Sequence, residues 1–172
     1  LLQRNDLLSK NQKFLRKKLG RFIFTNFLIH FFQNINIEKD CSELFQNEIS
    51  TFKNFLPNEL DNIMDIGCGL GIIDIFLNEK YHGSPNFYLL DKNHIDSKIK
   101  YGFSVDYESY NDLNETRKIL LDNGLENNRI NTFNVEDDIY IEKKIDLVIS
   151  LKSMGYHYPF EKYIFLFKEF CN

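Results

Sequence analysis

Asn62-Ile63-Met64-Asp65-Ile66-Gly67-Cys68-Gly69-Leu70-Gly71-Ile72-Ile73 is the stretch from which the fold follows. A short apolar run ends near a carboxylate, passes at once into Gly-x-Gly-x-Gly, and resumes as an apolar run of helical length. That order places a tight turn at the carboxyl end of a first parallel strand. Glycine lets the backbone turn sharply and come close to a ligand, because no Cβ stands in the way. The spacing is Gly-x-Gly-x-Gly, with Ile72 and Ile73 where a dinucleotide fingerprint continues toward its third glycine. Glycines also serve turns for purely structural reasons; Asp65 and the strand–turn–helix setting favour a ligand.

A second run, Asn86-Phe87-Tyr88-Leu89-Leu90-Asp91, reads as another buried strand ending in a carboxylate. It ends about twenty residues beyond the glycine turn, where an acid in doubly wound folds accepts hydrogen bonds from ribose hydroxyls. Asp91 also suits a turn or a helix cap, with Lys92 and Asn93 beside it. Its separation from the glycine turn favours the nucleoside reading.

Strand and helix patterns alternate from residue 62 onward. Strands are predicted near 62–66, 86–91, 129–135 and 145–150, and helices near 71–80, 106–123 and 159–171. Gly124 suits the stop of the second helix and Pro159 the first turn of the third. Glu136 to Lys144 is too short for a full helix and reads as a brief turn. Such alternation implies an α/β fold: a Rossmann-like, doubly wound, mainly parallel sheet of about four strands. Residues 58–172 form this expected ligand-binding domain, and residues 1–57 an N-terminal helical segment without ligand motifs. The clearest helix there runs from Cys41 to Leu56. Cys41, Leu44, Phe45, Ile49, Phe52, Phe55 and Leu56 share one arc at about 100° per residue, opposite Glu43, Gln46, Asn47, Ser50 and Asn54. Pro57 marks its end.

Asp65 to Gly71, Asp91 and the later run Ile145-Asp146-Leu147-Val148-Ile149-Ser150 together resemble class I S-adenosylmethionine-dependent methyltransferases, over roughly residues 60–170. Tyr101-Gly102-Phe103, a helix at Tyr110-Asn111, and Ser150-Leu151-Lys152-Ser153-Met154-Gly155-Tyr156-His157-Tyr158-Pro159 more loosely resemble bacterial proteins described as sugar methyltransferases. The resemblance implies S-adenosylmethionine as cofactor and a saccharide hydroxyl as acceptor. Gly67, Cys68, Gly69 and Gly71 would border the methionine portion, with Cys68 as a packing residue rather than a nucleophile. Asp65 would orient the turn or reach the donor's amino group through water, and Asp91 would bind the ribose. Asn134 and Val135 fall where the family lines the adenine, although it often has an acid there, which a shifted register would supply from Glu136. Ser150 opens the segment leaving the fourth strand, where donor and acceptor meet. His157 is the expected catalytic residue, taking a hydroxyl proton near neutrality; a cap on the Pro159 helix is the other reading. Tyr156 and Tyr158 would shape the acceptor pocket. The family's sheet continues past a central fourth strand, whereas this chain ends at Cys171-Asn172. A fragment or a shortened product is therefore expected, with an unpaired sheet edge.

Composition narrows the alternatives. At 172 residues, 43% hydrophobic, the chain suits one domain with a substantial core. A net charge of −4 offers no long-range attraction to nucleic acid. Lys13, Arg16, Lys17, Lys18 and Arg21 read as a solvated helix face. Three widely spaced cysteines lack metal-ligand spacing, so no metal is expected. Phe22 to Phe32 is apolar but too short to span a bilayer and is interrupted by Asn26 and His30. Reduced cysteines and no secretory pattern point to the cytoplasm. His30, His82 and His94 read as surface or packing residues. Two other functions compete: a non-catalytic S-adenosylmethionine-binding module, and a nicotinamide-dependent oxidoreductase, which the glycine spacing disfavours. Oligomeric state is not legible in the sequence.

Overall fold

The computed structural model describes residues 9–20, 23–24, 37–95, 110–151, 153–155 and 160–170. The chain divides into two compact units, Leu1–Asn54 and Phe55–Asn172. No helix of the described residues is long and apolar enough to cross a membrane.

The second unit is an α/β fold around a parallel sheet. In chain order its strands are β1 (Asn62–Ile66), β2 (Asn86–Asp91), β5 (Ile130–Asn134) and β6 (Leu147–Ile149). They lie in the order β5-β2-β1-β6, and every pair is parallel. The register sets Ile66 beside Leu90, Asp65 beside Ile149, and Asp91 beside Asn134. Strands β1 and β2 are buried on both faces, which explains why their sequences are almost continuously apolar rather than alternating.

Alternation of side chains along each strand divides the core. Met64, Ile66, Tyr88 and Leu90 share one face with Ile141, Ile145, Tyr163, Leu166 and Phe170. The last two belong to helix α5 (Ile164–Phe170), entered through a 3₁₀ turn at Phe160–Tyr163. Ile63, Asp65, Phe87 and Leu89 point the other way, toward the side of α3 (Ile72–Lys80) and α4 (Leu113–Asp122), whose Ile73, Leu77 and Leu120 are buried. Helices therefore lie on both sides, as a doubly wound, Rossmann-like sheet requires. The predicted turn from Glu136 to Lys144 contains no helix, and its Ile141 is buried in the core. The strand order reverses at β1, because β2 and β5 step one way and β6 returns to the other side of β1. Ligands of such sheets bind outside the carboxyl ends of the strands at this switch point. The opposite strand ends are tied by Asp146, whose Oδ2 accepts from the Asp61 and Asn62 N–H groups at 3.0 and 2.9 Å.

The strands expected at 129–135 and 145–150 are shorter, Ile130–Asn134 and Leu147–Ile149, and two expected helices depart further. Of the helix predicted over 106–123, residues 106–109 lie outside the described ones. Tyr110–Asn111 is instead a strand, β4, antiparallel to β3 (His94–Ile95). Helix α4 starts only at Leu113, because Asp112 caps it by accepting the Asn114 N–H at 2.9 Å. The last predicted helix opens as 3₁₀ rather than α, with Pro159 and Cys171 outside the described residues.

In the first unit, α1 (Lys10–Leu19) begins with a capping box between Ser9 and Gln12. Helix α2 (Ile37–Phe52) starts earlier than the pattern implies and passes into a 3₁₀ turn at Lys53–Phe55. That tighter winding, ahead of Pro57, carries Phe55 off the apolar arc, and its ring is 85% exposed. Phe45, Ile49 and Phe52 are only half-buried. Of the apolar segment at 22–32, only Ile23 and Phe24 are described: one is exposed and the other fully buried.

Candidate functional site

The glycine turn closes over the end of β2. Gly67 and Cys68 donate their N–H groups to the Leu90 carbonyl at 2.7 and 3.2 Å, and Gly71 caps helix α3. Gly67 and Gly69 both have positive φ, 77° and 53°, yet they serve different ends. A Cβ on Gly67 would overlap the Ser153 side chain, so glycine there allows two segments to touch. Among the described residues, a Cβ on Gly69 would meet nothing within 4 Å, so none of them covers that face.

The Gly69 peptide is held from two sides. Its N–H donates to Asp91 Oδ2 at 2.7 Å, and its carbonyl accepts from Thr116 Oγ1 at 2.6 Å. Asp91 Oδ1 accepts the Lys92 N–H at 2.7 Å. The carboxylate thus anchors the turn while remaining partly exposed beside the open glycine face. Burial pushes its carboxyl above the usual range, whereas the Gly69 and Lys92 N–H groups and the nearby Asn111 amide favour the charged form.

Two more carboxyls lie beneath the turn. Asp65 is 2% exposed and Asp74, in the first turn of α3, is wholly buried. Burial pushes Asp65 up to about 7; a hydrogen bond with Asp74 draws it down, and the charge of Asp91 pushes it further up. Burial, then the charge of Asp65 and the hydrogen bond with it, drive Asp74 well above the carboxylate range. Among the described residues, no donor meets Asp65 Oδ1 or either Asp74 oxygen in hydrogen-bond geometry. Two buried carboxyls in contact resist ionising together, so burial and their mutual charge favour a proton kept within the pair. Burial, followed by Asp65, Asp91 and Asp74, also raises the Cys68 thiol, which stays protonated. Cys68 is a buried free thiol with packing rather than nucleophilic character.

The remaining expected residues occupy the same end of the sheet, apart from one. Asn134 stands beside Asp91 in the register, and its Oδ1 accepts from the Asn93 and Glu136 N–H groups at 3.4 and 3.3 Å. Val135 donates its N–H to the Asp91 carbonyl at 3.0 Å, and its side chain packs on the core cluster. Ser150 joins two strand ends: Oγ donates to the Ile66 carbonyl at 2.7 Å and accepts the Met154 N–H at 3.0 Å. His157, with Tyr156, Tyr158 and Lys152, lies outside the described residues, as do Tyr101 to Phe103.

Sequence reasoning missed three residues. Asp74 carries a local signal, an acid inside the apolar run Ile72-Ile73-Asp74-Ile75-Phe76-Leu77. Thr116 and Asn111 carry none, because their roles arise from where α4 and β4 land. Thr116 is fully buried, and its Oγ1 also approaches Asn111 Oδ1 at 3.4 Å.

Together these groups present an acceptor at Asp91, a bare glycine face and a surplus of carboxyls. The amino end of α3 would ordinarily welcome a phosphate. Here a pyrophosphate would lie beside Asp65 and Asp91, and Lys92 is directed to Glu136 at 2.9 Å. The electrostatics suit a ligand bearing hydroxyls and positive charge. Among the described residues, no group of three or more His, Cys, Asp or Glu side chains is placed to hold a metal ion. No protein-family model matches the chain, and no curated protein matches it either.

Proposed function

We propose that this chain binds S-adenosylmethionine over the glycine turn and transfers its methyl group to a saccharide hydroxyl. The observation that carries this reading is the Gly69–Asp91 pair. A carboxylate at the end of β2 holds a glycine whose outer face is open, at the switch point of a parallel sheet. S-adenosylmethionine has a ribose diol for Asp91, and its ammonium and sulfonium suit the acidic surroundings of Asp65 and Asp91. When bound, it supplies an activated methyl group on sulfur. A nicotinamide dinucleotide, with two phosphate charges, fits the same surroundings poorly.

Within this reading, Gly67, Cys68, Gly69 and Gly71 border the methionine portion, and Asp65 fixes the turn from below. Asn134 and Val135 flank the adenine, and Ser150 holds the ends of β1 and β6 together next to the donor. Much of the rate comes from holding acceptor and donor in line. His157 takes the acceptor's proton, since an imidazole titrates near neutrality. We place the activity in the cytoplasm, where Cys68 stays a free thiol.

The test is a transfer assay with methyl-labelled S-adenosylmethionine against a panel of saccharides, for the parent and His157→Ala. The parent should label an acceptor. The variant should lose transfer while donor affinity stays within about twofold, as only transition-state assistance is removed. Donor binding without transfer to any acceptor would make the chain a binding module, and full turnover in the variant would make His157 structural.

A further inference from the structure

Asn111 is 5% exposed, yet among the described residues its Nδ2 has no hydrogen-bond partner. Buried donors without acceptors are rare, and each costs about 1–3 kcal/mol. The side chain is well fixed. Strand β4 pairs with β3, so Asn111 lies opposite His94, three residues past Asp91. The next residue caps α4, and the Leu113 N–H is taken by Asn93 Oδ1 at 3.0 Å. Asn111 Oδ1 is approached by Thr116 Oγ1, whose main bond goes to the Gly69 carbonyl. The amide faces Asp91 closely enough to favour its charged form as a weak hydrogen bond does, but short of full hydrogen-bond geometry. A partly exposed carboxylate beside Gly69 and a buried donor without a full hydrogen bond therefore stand side by side.

We infer that Asn111 is a second ligand-binding residue, its amide donating to one hydroxyl oxygen of the sugar whose neighbouring hydroxyl donates to Asp91. The inference rests on the nucleoside reading above and adds a residue that selects for a vicinal diol. A hydroxyl is both donor and acceptor, so a diol satisfies Asp91 and Asn111 together. A ligand with one hydroxyl leaves Asn111 unpaired, and sites built to bond a hydroxyl reject analogues lacking it.

The test titrates S-adenosylhomocysteine and its 2′-deoxy and 3′-deoxy analogues into the parent, Asn111→Leu and Asn111→Asp. Leucine is similar in shape without the donor; aspartate keeps the oxygen facing Thr116 and replaces the donor with an acceptor. Both variants should bind S-adenosylhomocysteine about tenfold more weakly. One deoxy analogue should bind about tenfold more weakly to the parent, and that penalty should shrink to within about twofold in the variants, because both changes delete the same bond. Without ligand, Asn111→Leu should melt at or above the parent's temperature, since it removes a donor with no partner. Variants that melt lower but bind all three ligands like the parent would make Asn111 structural and overturn the inference. A folded parent that binds no nucleoside overturns the function itself, so the two failures are separable.

Discussion

Replacing Asp74 with asparagine is expected to flatten the dependence of stability on pH. Asp65 and Asp74 are 2% and 0% exposed, and both carboxyls titrate above their ordinary range. An acid whose folded pKa is raised binds a proton in the native state after the unfolded chain has released it. Its stabilising contribution is complete below the unfolded pKa and is lost as pH rises through the folded one. For Asp65 that window runs from 3.8 to about 7. Asp74 is also raised well above its ordinary value, so the pair binds at least one proton more than the unfolded chain across that interval. One extra native proton changes stability by about 1.4 kcal/mol per pH unit. Between pH 5 and 7, that one proton should therefore remove about 3 kcal/mol. Asparagine does not titrate, and its amide still donates to Asp65. Urea unfolding followed by far-ultraviolet circular dichroism at pH 5, 6 and 7 would measure both proteins. Relative to the parent, Asp74→Asn should gain about 3 kcal/mol over that range. Parallel curves for the two proteins would refute a shared buried proton.

The two glycines should separate stability from binding. Gly67→Ala, forced against Ser153 at positive φ, should lose about 2 kcal/mol or more in a urea titration. Gly69→Ala, whose Cβ meets no described residue within 4 Å, should fold with a smaller loss yet weaken S-adenosylhomocysteine at least tenfold by calorimetry; equal affinity would place the ligand elsewhere. Asp91→Ala should lower donor affinity tenfold or more, at about 1.5–3 kcal/mol for a charged hydrogen bond. It should also lower the melting temperature, because the Gly69 N–H loses its acceptor. A lower melting temperature with an unchanged dissociation constant would reduce Asp91 to a turn anchor.

What was legible in the sequence is what short-range chemistry decides. Strands β1 and β2 fall on the residues expected, because each apolar run is ended by its own carboxylate and a turn. Gly67 to Gly71 and Asp91 converge as their spacing implies, since a parallel β1–β2 pair must bring the two strand ends together. The errors come from longer-range events. Tyr110–Asn111 reads as helical until His94–Ile95 offers it a strand partner. Phe55 falls on the apolar arc only while the helix keeps its α pitch. Position puts Ser150 at the end of β6, but it does not show that the hydroxyl bonds to the Ile66 carbonyl and the Met154 N–H, which depends on how the neighbouring segments land. Asn111 and Thr116 become site residues only when β4 and α4 settle beside the glycine turn.

The central claim is that the turn from Gly67 to Gly71, with Asp91, holds an S-adenosyl ligand rather than a dinucleotide. Isothermal calorimetry of the whole chain with S-adenosylhomocysteine, and separately with NAD, tests it most directly. S-adenosylhomocysteine should bind saturably at one site per chain, more weakly in Asp91→Ala, and NAD should give no heat of binding. Saturable binding of NAD, or no binding of S-adenosylhomocysteine to a chain shown by circular dichroism to be folded, would contradict it.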